Sequence, residues 1–495
     1  MRSVLEVVLV AMALSGATVL VVGCFQFFLA GFHALSRPYL TVGEVYPKVA
    51  VIIPAWNEAA VLERTIDRLM ELYYPAAALR AYIVDDASTD DTPALLERKA
   101  AEYPGRIFHL RREKGGEGKA HTINHGLRTI TAEPWAEAVM IIDADVIFTH
   151  TALRRMARHL ADPSVGAVTS YIKEGSRPAN YMNRFIGFEY ITAQAAGRRA
   201  QNVLDVQACL AGGAQLIARD ALEAIGGVMD TSTLAEDTFT TFNVQLAGYR
   251  VRFDGNAVVW AEEPKTITAL WKQRQRWARG NAQVTRTFRR VWLRRFSKGR
   301  LGGPIFAAIW FSIVFMPFFM IAATTGLVGL FFLNRDLAVN AFDSLWALTG
   351  FTYLFVTFSS ILLDPETGRR CWFQGFMFPG VINILLIGAG LFGPVLAAHV
   401  GDQLAAVGLA GGGLAPKLIL LAADIWLSAS MLVAWLLKRL DESELAPWLV
   451  RPLLYVVGYG PLLCSITVAA YIQEVRRKEL RWEKTEKTGQ VGEFA

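Results

Sequence analysis

Five apolar segments, near 304–333, 342–363, 374–398, 417–437 and 449–472, dominate the second half of this 495-residue chain. Each is long enough for the roughly 20 residues that a helix needs to cross a bilayer. Backbone in lipid must satisfy its own hydrogen bonds, so such segments fold as helices packed on one another. Pro304, Pro317, Pro379, Pro394 and Pro461 interrupt them, which is tolerated where neighbouring helices or a water-filled path satisfy the broken backbone. The chain is 53% hydrophobic with mean hydropathy +0.32, but the apolar content is uneven. Residues 48–300 have the composition of an ordinary soluble α/β segment.

A further apolar run, Val4 to Phe32, opens the chain. It is too long for a signal-peptide core and no A-x-A site follows, so residues 1–35 are expected to be one retained transmembrane helix. Arg37 and Lys48 follow it, which places residue 40 onward in the cytoplasm of a bacterial-type inner membrane. Residues 302–473 then hold about four or five transmembrane helices. Five full crossings put Arg369, Arg370, Lys438 and Arg439 inside, but they leave the basic tail 474–495 outside, against the positive-inside rule. One segment is therefore expected to be re-entrant or interfacial: the last, at the Gly458–Pro461 break, or the third, between Pro379 and Pro394. Residues 284–300 carry seven basic residues and no acidic one, with Val284, Phe288, Trp292 and Phe296 at i+4 spacing. That pattern predicts an interfacial amphipathic helix over 283–301.

The net charge of +6 gathers beside apolar segments, which suits an anionic membrane surface and no nucleic acid. Cys24, Cys209, Cys371 and Cys464 are scattered, with no C-x-x-C. They are expected to be free thiols, without disulfide or zinc. His121 and His125 are i, i+4 but lack the Glu and third ligand of a zinc motif.

Within 45–282 the apolar pattern alternates strand, loop and helix. Lys48–Pro54, Ala81–Val84, Ile107–Leu110 and Val139–Ile142 read as strands; Val61–Leu72, Thr92–Glu102 and the stretch after Lys119 read as helices. This order predicts a mostly parallel sheet covered by helices, with every strand-to-helix loop at one edge. Val165–Tyr171 and Val258–Trp260 read as later strands, and 180–200 as a helix. The fourth strand runs into Asp143-Ala144-Asp145. If extended geometry persists, the two carboxylates point the same way. Two acids at that edge can hold a hard cation, and a cation there can hold a diphosphate. In isolation, two solvated loop acids fit the same pattern.

Six motifs occur in order: Ile52-Ile53-Pro54-Ala55-Trp56-Asn57-Glu58, Val84-Asp85-Asp86-Ala87-Ser88-Thr89-Asp90, Gly116-Glu117-Gly118-Lys119-Ala120 with Asn124 beyond, Asp143-Ala144-Asp145, Ala235-Glu236-Asp237, and Gln273-Arg274-Gln275-Arg276-Trp277. In this order and spacing the chain resembles the family 2 inverting glycosyltransferases. It looks most like the membrane-embedded processive polysaccharide synthases, those of cellulose, chitin, hyaluronan and poly-N-acetylglucosamine. The resemblance covers 48–285. It implies a nucleotide-sugar-binding, GT-A-like α/β domain joined to an α-helical transmembrane bundle that forms a channel for the product.

The resemblance also implies roles. A UDP-sugar is the donor, and Mg²⁺ or Mn²⁺ on Asp145 and Asp143 stabilises the leaving diphosphate. Asp86, with Asp85 and Glu58 nearby, binds the nucleoside; Asp85 reads equally well as a turn cap. Lys119, after two glycines, meets phosphate as a point charge. Asp237 is the general base that inversion requires, although Ala235 stands where the family usually has Thr. Glu236 positions the acceptor or the loop, and Gly212 and Gly213 let backbone approach the acceptor. Gln273, Arg276 and Trp277 match Gln-x-x-Arg-Trp, with Arg276 clamping diphosphate and Trp277 offering a flat face to a pyranose ring. The expected partners are the growing polysaccharide, membrane lipid and an accessory membrane subunit. The string 270–280 looks most like poly-N-acetylglucosamine synthases. Hyaluronan-, chitin- and β-glucan-type synthases, and a single-transfer glycolipid enzyme, remain alternatives. A transporter subunit with a degenerate transferase domain is disfavoured by the intact Asp143, Asp145, Asp237 and Arg276.

Overall fold

The computed structural model describes residues 2–36, 39, 43–292, 301–406, 414–443, 446–478 and 489–492. The chain forms two compact units. One comprises Met1–Phe27, Thr266–Ala278 and Ala308–Val475; the other comprises Phe28–Lys265, Arg279–Ala307 and Arg476–Ala495.

The second unit is built on one eight-stranded sheet. Its strands are β1 (Val49–Ala55), β2 (Leu79–Asp85), β3 (Ile107–Arg111), β4 (Ala138–Ile142), β5 (Ile147–Phe148), β6 (Val165–Glu174), β7 (Ala214–Ala218) and β8 (Arg250–Ala261), in the spatial order β3-β2-β1-β4-β7-β6-β8-β5. The first half, β3-β2-β1-β4, is wholly parallel, with Val49 opposite both Leu79 and Ala138. Beyond β4 the sheet is mixed. β7 runs antiparallel to both β4 and β6, β6 pairs parallel with β8, and β5 runs antiparallel to β8. The expected parallel character therefore holds for the first four strands and gives way after them. β7 and β5 are the strands that apolar periodicity does not reveal: β7 is interleaved with a glycine turn, and β5 is two residues long.

The parallel half forms because its strands are apolar on both faces. Ala50, Val51, Ile52, Ile53, Ile83, Val84, Ile141 and Ile142 are fully buried, each large side chain contributing about 1.5–3 kcal/mol relative to exposure. The helix Ala59–Met70 buries Val61, Leu62, Ile66 and Leu69, as its spacing predicts. The helix Lys119–Thr131 lies on β1 and β2 through Ile123 and Leu127. Its closest approach is at Gly126, where a Cβ would stand 3.0 Å from Val84 and 3.3 Å from Ile52. Sheet order reverses direction between β1 and its two neighbours. That switch point is where ligands enter open α/β sheets, outside the carboxyl ends of the strands. The 180–200 helix is present as Tyr181–Tyr190 and Gly197–Val203 joined through a π-helical turn at Ile191–Ala196.

Two expectations change in this unit. The amphipathic helix 283–301 does not run on as such. The helix Ile267–Thr287 ends and 288–292 are turns, while 293–300 lie outside the described residues. Its apolar stripe is used internally: Phe288 packs on Phe239 and Phe242, and Trp292 stacks on Phe306. The tail 474–495 also does more than carry charge, because Gly489–Gly492 returns to β6 and bridges Ser176 through Val491. Arg481, Lys484 and Lys487 lie outside the described residues, as do Gly411–Gly413.

The first unit is helical. The expected single N-terminal helix is two, Arg2–Ser15 and Thr18–Ser36, broken by a turn at Gly16-Ala17. Leu9, Ala13 and Ala17 pack with Ala323, Leu327 and Leu330 in a buried apolar cluster. Thr18–Ser36, Met316–Leu333, Arg335–Leu363 and Leu414–Ser443 are each long and apolar enough to cross a membrane. The third and fifth apolar segments are instead bent pairs: Pro365–Phe376 with Val381–Phe392 at 79°, and Pro447–Val457 with Tyr459–Val475 at 99°. Their breaks meet. Tyr459 and Gly460 both donate their N–H to the Phe378 carbonyl, at 2.9 and 3.1 Å, so each unwound turn satisfies the other. All four cysteines are free thiols, Cys371 and Cys464 buried and Cys24 and Cys209 half-buried.

Candidate active site

The loops after β1, β2 and β4 converge on one edge, and hydrogen bonds lace them together. Asn57, with φ 53°, accepts from Thr89 N at 2.8 Å and donates its own N–H to Ser88 Oγ at 2.9 Å. Glu58 donates its N–H to Thr92 Oγ1 at 2.9 Å. Asp85 is fully buried; one oxygen accepts from Ser88 N at 2.8 Å and the other pairs with Arg111 at 3.0 Å. The turn-cap reading of Asp85 is thus realised. Asp86 accepts from Gly116 N at 2.9 Å and pairs with Arg112, which also pairs with Glu117. The pair expected at the nucleoside is therefore held by two arginines that sequence reasoning missed. Charge order alone could have flagged them: Arg111 ends the neighbouring strand β3 and Arg112 follows it.

The Asp-x-Asp begins where β4 ends. Ile142 is the last strand residue and Ala144-Asp145 form a turn, so the extended geometry that would align the two carboxylates does not persist. The turn is pinned by Thr65 Oγ1, which donates to the Ala144 carbonyl at 2.7 Å. Asp143 is 39% exposed and accessible from the loop edge.

Lys119, the first residue of its helix, ties the separate motifs together. Its ammonium pairs with Asp143, donates to the Gly212 carbonyl at 3.1 Å and lies 3.9 Å from Glu236. Burial disfavours its charge, but Asp143, Glu236 and Asp237 outweigh this and hold its pKa above the ordinary lysine value. Asp237 and Lys119 both approach the Cα of Gly212 from the side where a side chain would stand. A Cβ on Gly212 would stand 3.1 Å from Asp237 Oδ2 and 3.5 Å from Lys119 Nζ; one on Gly213 would stand 3.6 Å from Asp143 Oδ2. The absence of a side chain at Gly212 thus leaves room for the Asp237 carboxylate and the Lys119 ammonium beside the backbone.

Asp237 is held by its own helix start. Its Oδ1 accepts from Thr238 N at 2.6 Å, and Thr241 Oγ1 donates to its carbonyl at 2.6 Å. Thr241 Oγ1 also accepts from Leu210 N at 2.7 Å, linking helix Glu236–Leu246 to the Gly212 loop. Behind this loop lies Arg198, which donates to Thr169 Oγ1 at 3.0 Å and to the Ser170 carbonyl at 3.2 Å. Burial lowers its pKa, and the neighbouring Cys209 and Asp237 oppose this. Burial, reinforced by Asp237, pushes the Cys209 thiol well above its usual range. Neither Arg198 nor Cys209 belongs to a motif, and only the fold brings them here.

Asp143 and Asp145 offer hard carboxylate oxygens. Among the described residues no group of three His, Cys, Asp or Glu side chains could hold a metal by itself. A cation here must complete its shell with substrate phosphate and water, the habit of Mg²⁺ and Mn²⁺.

Gln273, Arg276 and Trp277 lie on helix Ile267–Thr287, in the part that belongs to the helical unit. The site residues brought together are thus Lys119, Asp143, Gly212, Gly213, Glu236 and Asp237, with Asp145 on the same turn. Trp277 is 38% exposed, and the guanidinium of Arg274 sits 4.0 Å from its ring centroid. One face of the ring expected to receive a sugar is already covered by Arg274.

Comparison with known proteins agrees with this geometry. Residues 47–280 match the family described as "Glycosyltransferase like family 2". A probable glycosyltransferase of Bacillus subtilis, YdaM, is 30% identical over 331 residues, 65% of this chain and 75% of that protein. A beta-monoglucosyldiacylglycerol synthase of Synechocystis is 32% identical over 50% of this chain and 51% of its own length. A poly-beta-1,6-N-acetyl-D-glucosamine synthase of Staphylococcus aureus is 27% identical over 53% and 62% respectively. A mannosyltransferase of Pyrobaculum calidifontis, solved with GDP-Man and Mn²⁺, superposes with TM-score 0.51 at 22% identity, covering 73% of this chain and 99% of that one; this likeness concerns the fold alone. A GT-A-like sheet with five of the six motifs at its loop edge, and a relative spanned over three quarters of its length, identify the chain as a member of glycosyltransferase family 2, a hexosyltransferase.

Proposed function

We propose that the enzyme transfers a sugar from a UDP-sugar, with inversion, to a growing β-linked polysaccharide of poly-N-acetylglucosamine type, and passes the product through its membrane helices. The observation that carries the transfer reading is the Lys119 ammonium, which joins Asp143 to the Gly212 carbonyl and approaches Glu236. One cluster thus contains the carboxylates suited to a cation and those suited to an acceptor.

In this reading Asp143 and Asp145 hold Mg²⁺ or Mn²⁺, which supplies Lewis-acid stabilisation to the departing diphosphate. Lys119 adds a positive charge beside it. Asp237 takes the proton from the acceptor hydroxyl as its oxygen bonds to the anomeric carbon, and the bond from that carbon to the diphosphate breaks to release UDP. Glu236 orients the acceptor. Asp85, Asp86 and Glu58 line the nucleoside side, with Arg111 and Arg112 setting the orientation of the two aspartates. Gln273, Arg276 and Trp277 serve diphosphate and acceptor from their own helix.

The grouping of the described tail residues, Arg476–Lys478 and Gly489–Gly492, with the transferase unit supports a tail on the same side of the membrane as that unit, and the positive-inside rule makes it the cytoplasmic side. An even number of crossings then lies between them. Met316–Leu333, Arg335–Leu363 and Leu414–Ser443 are three, so one of the two bent pairs crosses and the other does not.

A second reading, transfer of one sugar to a lipid, is favoured by the higher identity to the diacylglycerol-linked relative, 32% against 27%. Membranes containing the enzyme, incubated with labelled UDP-sugars and Mg²⁺ or Mn²⁺, distinguish the two. A high-molecular-weight product digested by a β-hexosaminidase supports the polysaccharide; a product of one sugar on lipid overturns it.

A further inference from the structure

The last described residues pair with the chain that leaves β6. Gly492 N donates to the Gly175 carbonyl at 3.0 Å and Arg177 N donates to the Gln490 carbonyl at 2.6 Å, an antiparallel bridge centred on Ser176 and Val491. Arg177 also donates to the Gly492 carbonyl at 3.0 Å, Arg64 donates to the Val491 carbonyl, and Gly489 N donates to Glu262 Oε2 at 3.1 Å. Side chains alternate as on a strand: Gln490 faces out, and Val491 is 3% exposed against Ile147 and Trp260. Gly489 has φ 73°, and a Cβ there would stand 2.5 Å from the Ala60 carbonyl. Backbone pairing plus one side-chain pocket is how an extended peptide is recognised by a sheet end.

The place of this contact matters. Ala60 is in the first turn of the helix that follows Asn57-Glu58, and Ile147 comes two residues after Asp145. Arg64 comes from the same helix as Ala60, and Glu262 from a further place, the chain just past β8. The segment thus touches both chain stretches that lead out of the donor and cation loops. Charged side chains face it from the helix, the β6 end and the β8 end, yet no catalytic motif contains any of them.

We propose that Gly489–Gly492 is a bound strand of the transferase fold, seated in a peptide site made by Gly175, Arg177, Arg64, Glu262 and the Ile147–Trp260 pocket, and that filling this site orders the donor and cation loops. The docking half stands on geometry alone; the ordering half rests on the function proposed above.

The test uses the full chain, its Val491→Asp variant and a chain ended after Thr488. In the full chain the amides of Arg177 and Gly492 exchange slowly, and Val491→Asp releases both. A fluorescent peptide of residues 488–495 binds the shortened chain saturably, while the full chain excludes it and the peptide with Asp at 491 binds at least roughly tenfold more weakly. Free-peptide exchange rates at both amides in the unaltered chain, or equal binding of the two peptides, overturn the docking. The donor KM of Val491→Asp rises roughly fivefold or more, with kcat changed less, and the peptide lowers the KM of the shortened chain. Protected amides with an unchanged KM overturn the ordering half. Lack of any sugar transfer by the unaltered chain counts against the functional reading, while the exchange and peptide arms still decide the docking.

Discussion

The Lys119 ammonium donates to the Gly212 carbonyl at 3.1 Å, joining the start of one helix to a glycine turn 93 residues later in the chain. The same ammonium pairs with Asp143 and lies 3.9 Å from Glu236. It therefore screens two carboxylate groups that would otherwise repel across the site. Lys119→Met keeps the length and removes the charge. The expected result is a fall in UDP release of roughly 10²-fold or more, with the far-UV spectrum unchanged. Lys119→Arg restores little, because a planar guanidinium does not fit three partners arranged around a point charge.

Asp237→Asn retains the hydrogen bonds at the helix start but cannot take a proton. Its kcat is expected to fall roughly 10²–10⁴-fold, while the affinity for UDP with Mn²⁺, measured by calorimetry, stays close to the unaltered value. UDP release at the unaltered rate would overturn the assignment of the base.

Gly212→Ala places a methyl group 3.1 Å from Asp237 Oδ2 and 3.5 Å from Lys119 Nζ. The chain is expected to fold, since the atom nearest the new methyl is the end of a flexible side chain, but the carboxylate is displaced. A loss of roughly ten- to hundredfold in kcat is expected, with a melting temperature close to that of the unaltered protein.

Chelation with EDTA is expected to abolish transfer, and Mn²⁺ or Mg²⁺ to restore it. Asp145→Asn and Asp143→Asn each move the Mn²⁺ titration of activity to higher concentration, because the protein offers two carboxylates and leaves the rest of the shell to phosphate and water. A titration unmoved by either substitution would remove the cation from this turn.

Glu174, 4% exposed at the end of β6, has its pKa raised to about 7 from 4.5 by burial, opposed by hydrogen bonds from Ser176 and reinforced by Glu263. A raised carboxyl pKa means that the folded state binds the proton more tightly than the unfolded state. Its contribution to stability therefore falls as pH rises from about 4.5 to about 7, by something on the order of 3 kcal/mol. Denaturant unfolding of the unaltered protein and of Glu174→Gln across this window checks it: the substitution flattens the slope, and parallel pH profiles would refute it.

By itself the sequence determined the parts that depend on local apolar pattern. The strands β1 to β4, the helices between them and the division between soluble and membrane-grade halves all follow from runs and periods of apolar residues, because burial of those runs has one efficient solution. The six motifs likewise located Lys119, Asp143, Asp145, Glu236 and Asp237 before any fold was known. Only the tertiary structure decided what depends on distant partners. Asp85 and Asp86 are tied to Arg111 and Arg112 from the next strand; Trp277 has Arg274 on its ring; the N-terminal apolar run breaks at Gly16-Ala17; and the stripe through Phe288 is spent on Phe242. Val491 shows the difference most clearly. A lone valine in a polar tail has no periodicity to read, and its burial exists only because β6, β8 and the turn after Asp145 end at the same place.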